Sequence, residues 1–305
     1  MRFESFHPMI NLIYFAAAIT CTVTFNHPVF LAISYLAAFS YSVKLNGKRS
    51  ALFNVCLIPL IFVYAAYYSY YHHFGITRLR TNFIGNQITL EAVTVGCVRG
   101  VTIAAVLMIF SCVFTVVSSD KVVYLFGRIS PRMSLFLSIL LRFVPRVKQR
   151  AKRIHLSRRG IGKGCGQGSL WQRLIHTCSF LSILITWTLE DFVESASSMK
   201  CRGYSLRGRT AFSIYRFDNR DRSFVIALFF CLTLILAGTA FNQTAILYDP
   251  VIVINRITPV SFLFYAAYAV FLLLPMGLQI VGERRFRRIR KKLHTFKALP
   301  ESAEA

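Results

Sequence analysis

Five stretches of this chain are too long and too apolar for an ordinary soluble domain: residues 9–43, 51–71, 101–117, 223–241 and 260–281. A spanning helix needs about 20 such residues, with roughly 17 as a lower bound, so each of the last four runs reads as one crossing. The first run would be a helix about 52 Å long, too much for a single crossing. Asn26-His27-Pro28 interrupts it, and proline suits the first turn of a new helix. The pattern therefore predicts an all-α polytopic membrane protein with about six spans, near 9–25, 28–43, 51–71, 101–117 and two within 223–281. A cleaved signal peptide does not fit, because the first run lacks a small-residue cleavage site and a second run follows at once.

Composition agrees. Charged residues are 16% of the chain and hydrophobic residues 55%, against about 25% charged in soluble domains. The formal charge of +24 does not point to nucleic acid in a chain with 28 Phe and several unbroken apolar runs. It fits membrane lipid and basic partner-binding surfaces. The 8 Cys include no CxxC and read as small buried hydrophobes. The 7 His are scattered, with no HExxH, so no metal site is expected.

The basic residues are unevenly placed. Residues 44–50 carry three Lys/Arg, 118–222 carry 20 against six acids, and 282–305 carry eight against three. The alternate loops are poorer: none at 26–27, three in 75–100 and one in 242–259. Positive-inside bias then predicts a plasma-membrane protein with both termini in the cytoplasm, together with a central segment at 118–222 and a basic tail at 282–305.

The central segment contains two helical patterns. Ser130-Pro131 suits an N-cap and first helical residue, and Met133, Phe136, Leu140, Val144 and Val147 follow on one face, with Arg142, Arg146, Arg150 and Arg153 elsewhere. Pro145 is expected to bend or break this helix. Gly160, Gly162, Gly164, Gly166 and Gly168 form a glycine-rich turn without the GxxxxGK[ST] pattern of a phosphate loop. Ser169 then suits the cap of a second amphipathic helix reaching about Lys200, whose apolar centre at 178–190 raises the alternative of a seventh crossing.

Both helices end in similar groups, Ser157-Arg158-Arg159-Gly160 and Lys200-Cys201-Arg202-Gly203. Each pattern predicts an Arg in the last turn followed by a left-handed glycine cap. Ordinary capping accounts for either one alone. As a pair, projecting guanidinium forks are also suited to carboxylate-bearing grooves on a partner.

Several segments resemble one family in order along the chain: Phe6-His7-Pro8, Thr89-Leu90-Glu91, Ser130-Pro131 through Leu141-Arg142-Phe143-Val144-Pro145, Trp187-Thr188-Leu189-Glu190, and Ser198-Met199-Lys200-Cys201-Arg202-Gly203-Tyr204. The family is the transmembrane T component of energy-coupling factor transporters, ABC-type importers of vitamins, metal ions and related micronutrients. Its two Ala-Arg-Gly-like coupling motifs fall on Arg158-Arg159-Gly160 and Cys201-Arg202-Gly203, with Arg and Cys standing where Ala is usual. The resemblance implies a non-catalytic scaffold that holds two ATPase subunits and a small membrane substrate-binding subunit. Arg159 and Arg202 would make the coupling contacts, with Arg158 competing with Arg159. It implies no cofactor on this chain, ATP and Mg being bound by the partner ATPases, and gives Pro131, Pro145, Gly162, Gly164 and Gly166 roles in helix geometry. The competing readings are a polytopic membrane enzyme and a stand-alone secondary transporter.

Overall fold

A computed structural model describes residues 3–72, 74–81, 87–204, 206, 215, 217–241, 246–248, 252–254 and 258–297. The chain forms two compact units, residues 1–118 with 215–305, and residues 119–214. Parts of the expected central segment, mainly at 205–216, and the end of the expected tail at 298–305 lie outside the described residues.

The first unit contains α1 (Pro8–Thr24), α2 (Pro28–Asn46), α3 (Lys48–Tyr71), α4 (Leu90–Val116), α8 (Asn219–Ala240) and α9 (Pro259–Lys297). Five of these are long and apolar enough to cross a bilayer, and α1, at 17 residues, is a shorter apolar helix. The all-α polytopic architecture read from the sequence is borne out, with the long first run divided between α1 and α2. Both start alike. His7 and His27 precede Pro8 and Pro28, and each imidazole Nδ1 accepts a hydrogen bond from the backbone N–H two residues on, at 3.3 Å. Each ring thus satisfies one of the N–H groups that a helix start leaves unpaired.

Two elements run further than the apolar pattern indicates. Helix α4 starts at Leu90, well before residue 101, because its polar residues find partners in the protein. The Arg99 guanidinium lies 4.8 Å from the centre of the Tyr68 ring. Glu91 is buried, and its Oε1 accepts a hydrogen bond from the Thr77 N–H at 3.3 Å. Gly75, at φ +111°, lets the preceding loop close over that carboxylate, where a Cβ would stand 2.5 Å from Glu91 Oε2. Helix α9 likewise passes beyond residue 281 and continues into the basic tail.

Helix α4 packs on α3, α2 and α1, α2 also packs on α9, and α8 packs on α9. At the α3–α4 contact the helices approach closely because Gly96 and Gly100 present no side chain. A Cβ on Gly96 would lie 2.9 Å from the Ala65 carbonyl oxygen, and one on Gly100 would lie 3.1 Å from that of Ile61. Aromatic rings fill the core, Phe3, Tyr14, Phe30, Tyr268 and Phe271 among them. Two hydroxyls of this core are paired: Tyr14 donates to the Leu272 carbonyl at 2.9 Å, and Tyr268 shares a 2.6 Å hydrogen bond with Ser34. Leu52, Phe62, Val63 and Phe114 instead point outward, as a lipid-facing surface requires. Two short antiparallel pairs that the helical patterns do not foreshadow connect the helices: β1 (Arg78–Thr81) with β2 (Gln87–Thr89), and β3 (Ile246–Leu247) with β4 (Val253–Ile254).

The second unit holds α5 (Ser119–Ile129), α6 (Pro131–Gly160) and α7 (Leu170–Cys201). Ser130 and Pro131 stand at the expected cap and first positions of α6. The break expected at Pro145 is absent, and α6 is helical on both sides of that residue without interruption. Helix α7 is not among the five candidate spans, so a seventh crossing at 178–190 finds no support.

Candidate functional site

Helices α6 and α7 meet through three contacts whose order defines their direction. Phe143 stacks on Phe192 at 4.7 Å, Arg150 engages Trp187 and Asp191, and His155 meets Phe180 edge-on at 6.4 Å. As the α6 number rises from 143 to 155, the α7 number falls from 192 to 180, so the contacting segments run antiparallel.

Arg150 makes the central contact. Its Nη1 donates to the Trp187 carbonyl at 2.7 Å, its Nη2 lies 2.5 Å from Asp191 Oδ2, and its guanidinium sits 5.9 Å from the centre of the Trp187 ring. Hydrogen bonding from Arg150 holds the Asp191 carboxyl below its ordinary range. This clasp is only half legible in the sequence. Opposite charges on neighbouring helices make an Arg–Asp pair reasonable, but no local pattern marks Arg150 among Arg142, Arg146 and Arg153.

An antiparallel pair places the two C-terminal ends at opposite ends of the contact. Arg159 lies beyond the His155–Phe180 contact, and Arg202 beyond the Phe143–Phe192 contact. Up to about 40 Å of helix length therefore separates them. Both side chains are exposed, and among the described residues neither has a hydrogen-bonding or ionic partner. Arg158 differs: its Nε donates to the Lys163 carbonyl at 3.4 Å, folding that guanidinium back over the end of its own helix.

The caps correct the sequence comparison. In α7, Gly203 is left-handed at φ +73°, its N–H donates to the Lys200 carbonyl at 3.0 Å, and that of Tyr204 to the Met199 carbonyl at 3.1 Å. This is a Schellman cap with Arg202 at the C-cap position. Helix α6 has the same hydrogen bonds, from Gly162 N–H to the Arg159 carbonyl at 3.2 Å and from Lys163 N–H to the Arg158 carbonyl at 3.0 Å. Its left-handed residue is Gly162, at φ +75°, and Gly160 is helical. Aligned on their caps, Ile161 matches Arg202 and Arg159 matches Lys200, so the Arg-Gly pairs are two residues out of register. The run of alternating glycines hides this, because the sequence offers several residues able to take the left-handed position.

The glycine-rich turn is held by hydrogen bonds. The Gln167 N–H donates to the Gly164 carbonyl at 3.0 Å, the Gln167 side-chain oxygen accepts from the Gly164 N–H at 3.0 Å, and Gln172 Oε1 accepts from the Ser169 N–H at 3.0 Å at the start of α7. Gly164 is buried, while Gly166 is exposed with open space around it.

The apolar faces of this unit are mostly uncovered. Helix α7 has no buried residue, and Leu174, Leu181, Ile185 and Leu189 are exposed along it. Among the described residues no group of three or more His, Cys, Asp or Glu side chains comes together as a metal site. What this unit offers chemically is therefore two separated cationic tips and a long apolar surface.

No family model matches the chain. It is similar to an energy-coupling factor transporter transmembrane protein, EcfT, of Bacillus selenitireducens, with 34% identity over 98 residues. The match covers 32% of this chain and 36% of that relative, little more than a third of the relative's length. With the helical, multi-pass architecture, that similarity supports placing the chain with the transmembrane T components of energy-coupling factor transporters.

Proposed function

We propose that this protein is the membrane scaffold of an energy-coupling factor importer, with α6 and α7 as its coupling helices and Arg159 and Arg202 as docking contacts for two ATPase subunits. The observation that carries this reading is the pair of exposed, unpartnered guanidiniums at opposite ends of one antiparallel helix pair. A guanidinium fork meets a carboxylate through two parallel hydrogen bonds, and two such contacts held well apart suit two separate partner subunits.

In this proposal ATP binding and hydrolysis occur in the partners. Closure of the ATPases moves the two tips, the Arg150 clasp transmits that displacement between the helices, and the uncovered apolar face passes it to a separate membrane subunit that binds the micronutrient. In this reading the second unit and both chain termini face the cytoplasm, which the excess of basic residues in those segments supports.

The test is a double substitution, Arg159→Ala with Arg202→Ala. The protein should remain folded while ATPase retention on purification and substrate uptake in vesicles both fall at least tenfold, about 1.4 kcal/mol, within the range for losing charge-assisted hydrogen bonds. Lys at both positions should restore only part of each, because an ammonium cannot reproduce a planar fork. Normal ATPase stoichiometry and wild-type uptake in the double-Ala protein would reduce both residues to helix-end charges and sink the proposal.

A further inference from the structure

Helix α9 leaves the apolar part of its sequence near Val281 and continues as helix to Lys297. Its first turns beyond that point carry Arg284, Arg285, Arg287, Arg288 and Arg290, all exposed, with Phe286 and Ile289 exposed between them. At about 100° per residue, Arg284, Arg287 and Arg288 share one side, while Arg285 and Arg290 flank the face holding Phe286 and Ile289. Five guanidiniums thus encircle the helix. The acid at the exit is already engaged: Glu283 Oε2 accepts from Lys44 Nζ at 2.8 Å, and its Oε1 from Gln279 Nε2 at 3.4 Å. Among the described residues no ion pair holds Arg284, Arg285, Arg288 or Arg290.

Their level along the helix matters as much as their charge. A crossing of about 20 residues from Pro259 ends near 278–281, and the headgroup layer beyond it is roughly 5–7 Å deep. Counted from a crossing that ends at 281, the stretch 284–290 runs from about 4.5 Å to about 13.5 Å beyond the hydrocarbon edge, so Arg284 and Arg285 stand in the headgroup layer and Arg287, Arg288 and Arg290 just past it, their side chains leaning back along the helix towards the lipid. We propose that this arginine ring is a binding surface for the phosphates of anionic lipid headgroups. A guanidinium matches a phosphate bidentately, and a net-negative headgroup has no ammonium of its own to compensate that phosphate. Phe286 and Ile289 stay exposed between the arginines, an apolar strip beside the cationic one. A cluster of this size directly beyond a spanning helix is the arrangement that recognises anionic leaflets. The inference rests on α9 crossing the bilayer and is independent of the transport proposal.

The test uses the full-length protein in detergent micelles, titrated with dioleoyl phosphatidylglycerol or dioleoyl phosphatidylcholine, with bound lipid counted by native mass spectrometry. The wild type should retain the anionic lipid at least fivefold better than the zwitterionic one. Each single Arg→Gln change should lower that preference only in part, and the variant with all five arginines changed to Gln should abolish it. Five Lys in place of Arg should keep part of it, and excess inorganic phosphate should not displace the lipid. Three outcomes overturn the proposal: no preference in the wild type, which needs no variant to fold; equal preference in wild type and a folded Gln variant; or displacement by inorganic phosphate, which would mark a site for soluble anions instead.

Discussion

Gly160 and Gly203 each follow an arginine, yet they answer to different physics. Gly160 is helical, with open space where a Cβ would stand, so Ala there should stabilise the protein by up to about 1 kcal/mol. Gly203 sits at φ +73°, and its Cβ would lie 3.1 Å from Leu206 Cδ1, so Ala should destabilise by about 1 kcal/mol or more. Thermal unfolding of the two purified variants should therefore shift in opposite directions, and equal shifts would contradict the cap assignment. The sequence marks both Arg-Gly pairs but does not reveal which glycine turns left-handed. That choice depends on where α6 runs out of helical hydrogen bonds, and Gly160, Gly162 and Gly164 all permit the turn locally. The projection of Arg159 and the folding back of Arg158 are equally hidden, since adjacent residues on a helix point about 100° apart and only the cap decides which side faces the turn.

At the scale of elements, hydropathy locates the crossings because lipid demands about 20 apolar residues and leaves little freedom of length. It fails at helix ends for the same reason: protein partners can satisfy a charge that lipid cannot. Arg99 over Tyr68 and Glu91 under the Gly75 turn extend α4 into residues that composition assigns to a loop. The Gly96-xxx-Gly100 spacing is a legible signal of close helix contact, and the structure gives it a partner in α3. Gly96→Leu should force α3 and α4 apart and cost about 1–3 kcal/mol through overpacking. Gly277→Ala, helical and with no neighbour within 4 Å of the added carbon, should range from neutral to stabilising by up to about 1 kcal/mol. Comparing the two by thermal unfolding in detergent separates close packing from a general intolerance of larger residues in spanning helices.

The sidedness of the whole molecule is legible only in its charge distribution. If residues 118–222 lie in the cytoplasm, a cysteine placed at Gly166 in a Cys-depleted background should react with a membrane-impermeant maleimide only after the membrane is permeabilised. Gly166 suits this test because it is exposed and unhindered, whereas Gly164 is buried against Gln167. Labelling of intact cells at that position would reverse the orientation. The short turn at 161–169 makes an antiparallel order of α6 and α7 legible, but not its register, which is set by side chains far apart in the chain, Phe143 with Phe192 and Arg150 with Asp191.

The two-residue offset between the caps has a consequence for symmetry. The two helix ends do not repeat each other about a two-fold axis. Residue 161 is isoleucine where its counterpart is Arg202, and the α6 cation two positions earlier is turned about 200° around the helix and set back about 3 Å. Under the docking proposed above, two partners of the same shape would have to seat dissimilar plugs in equivalent sockets, so the two ends call for partners whose grooves differ.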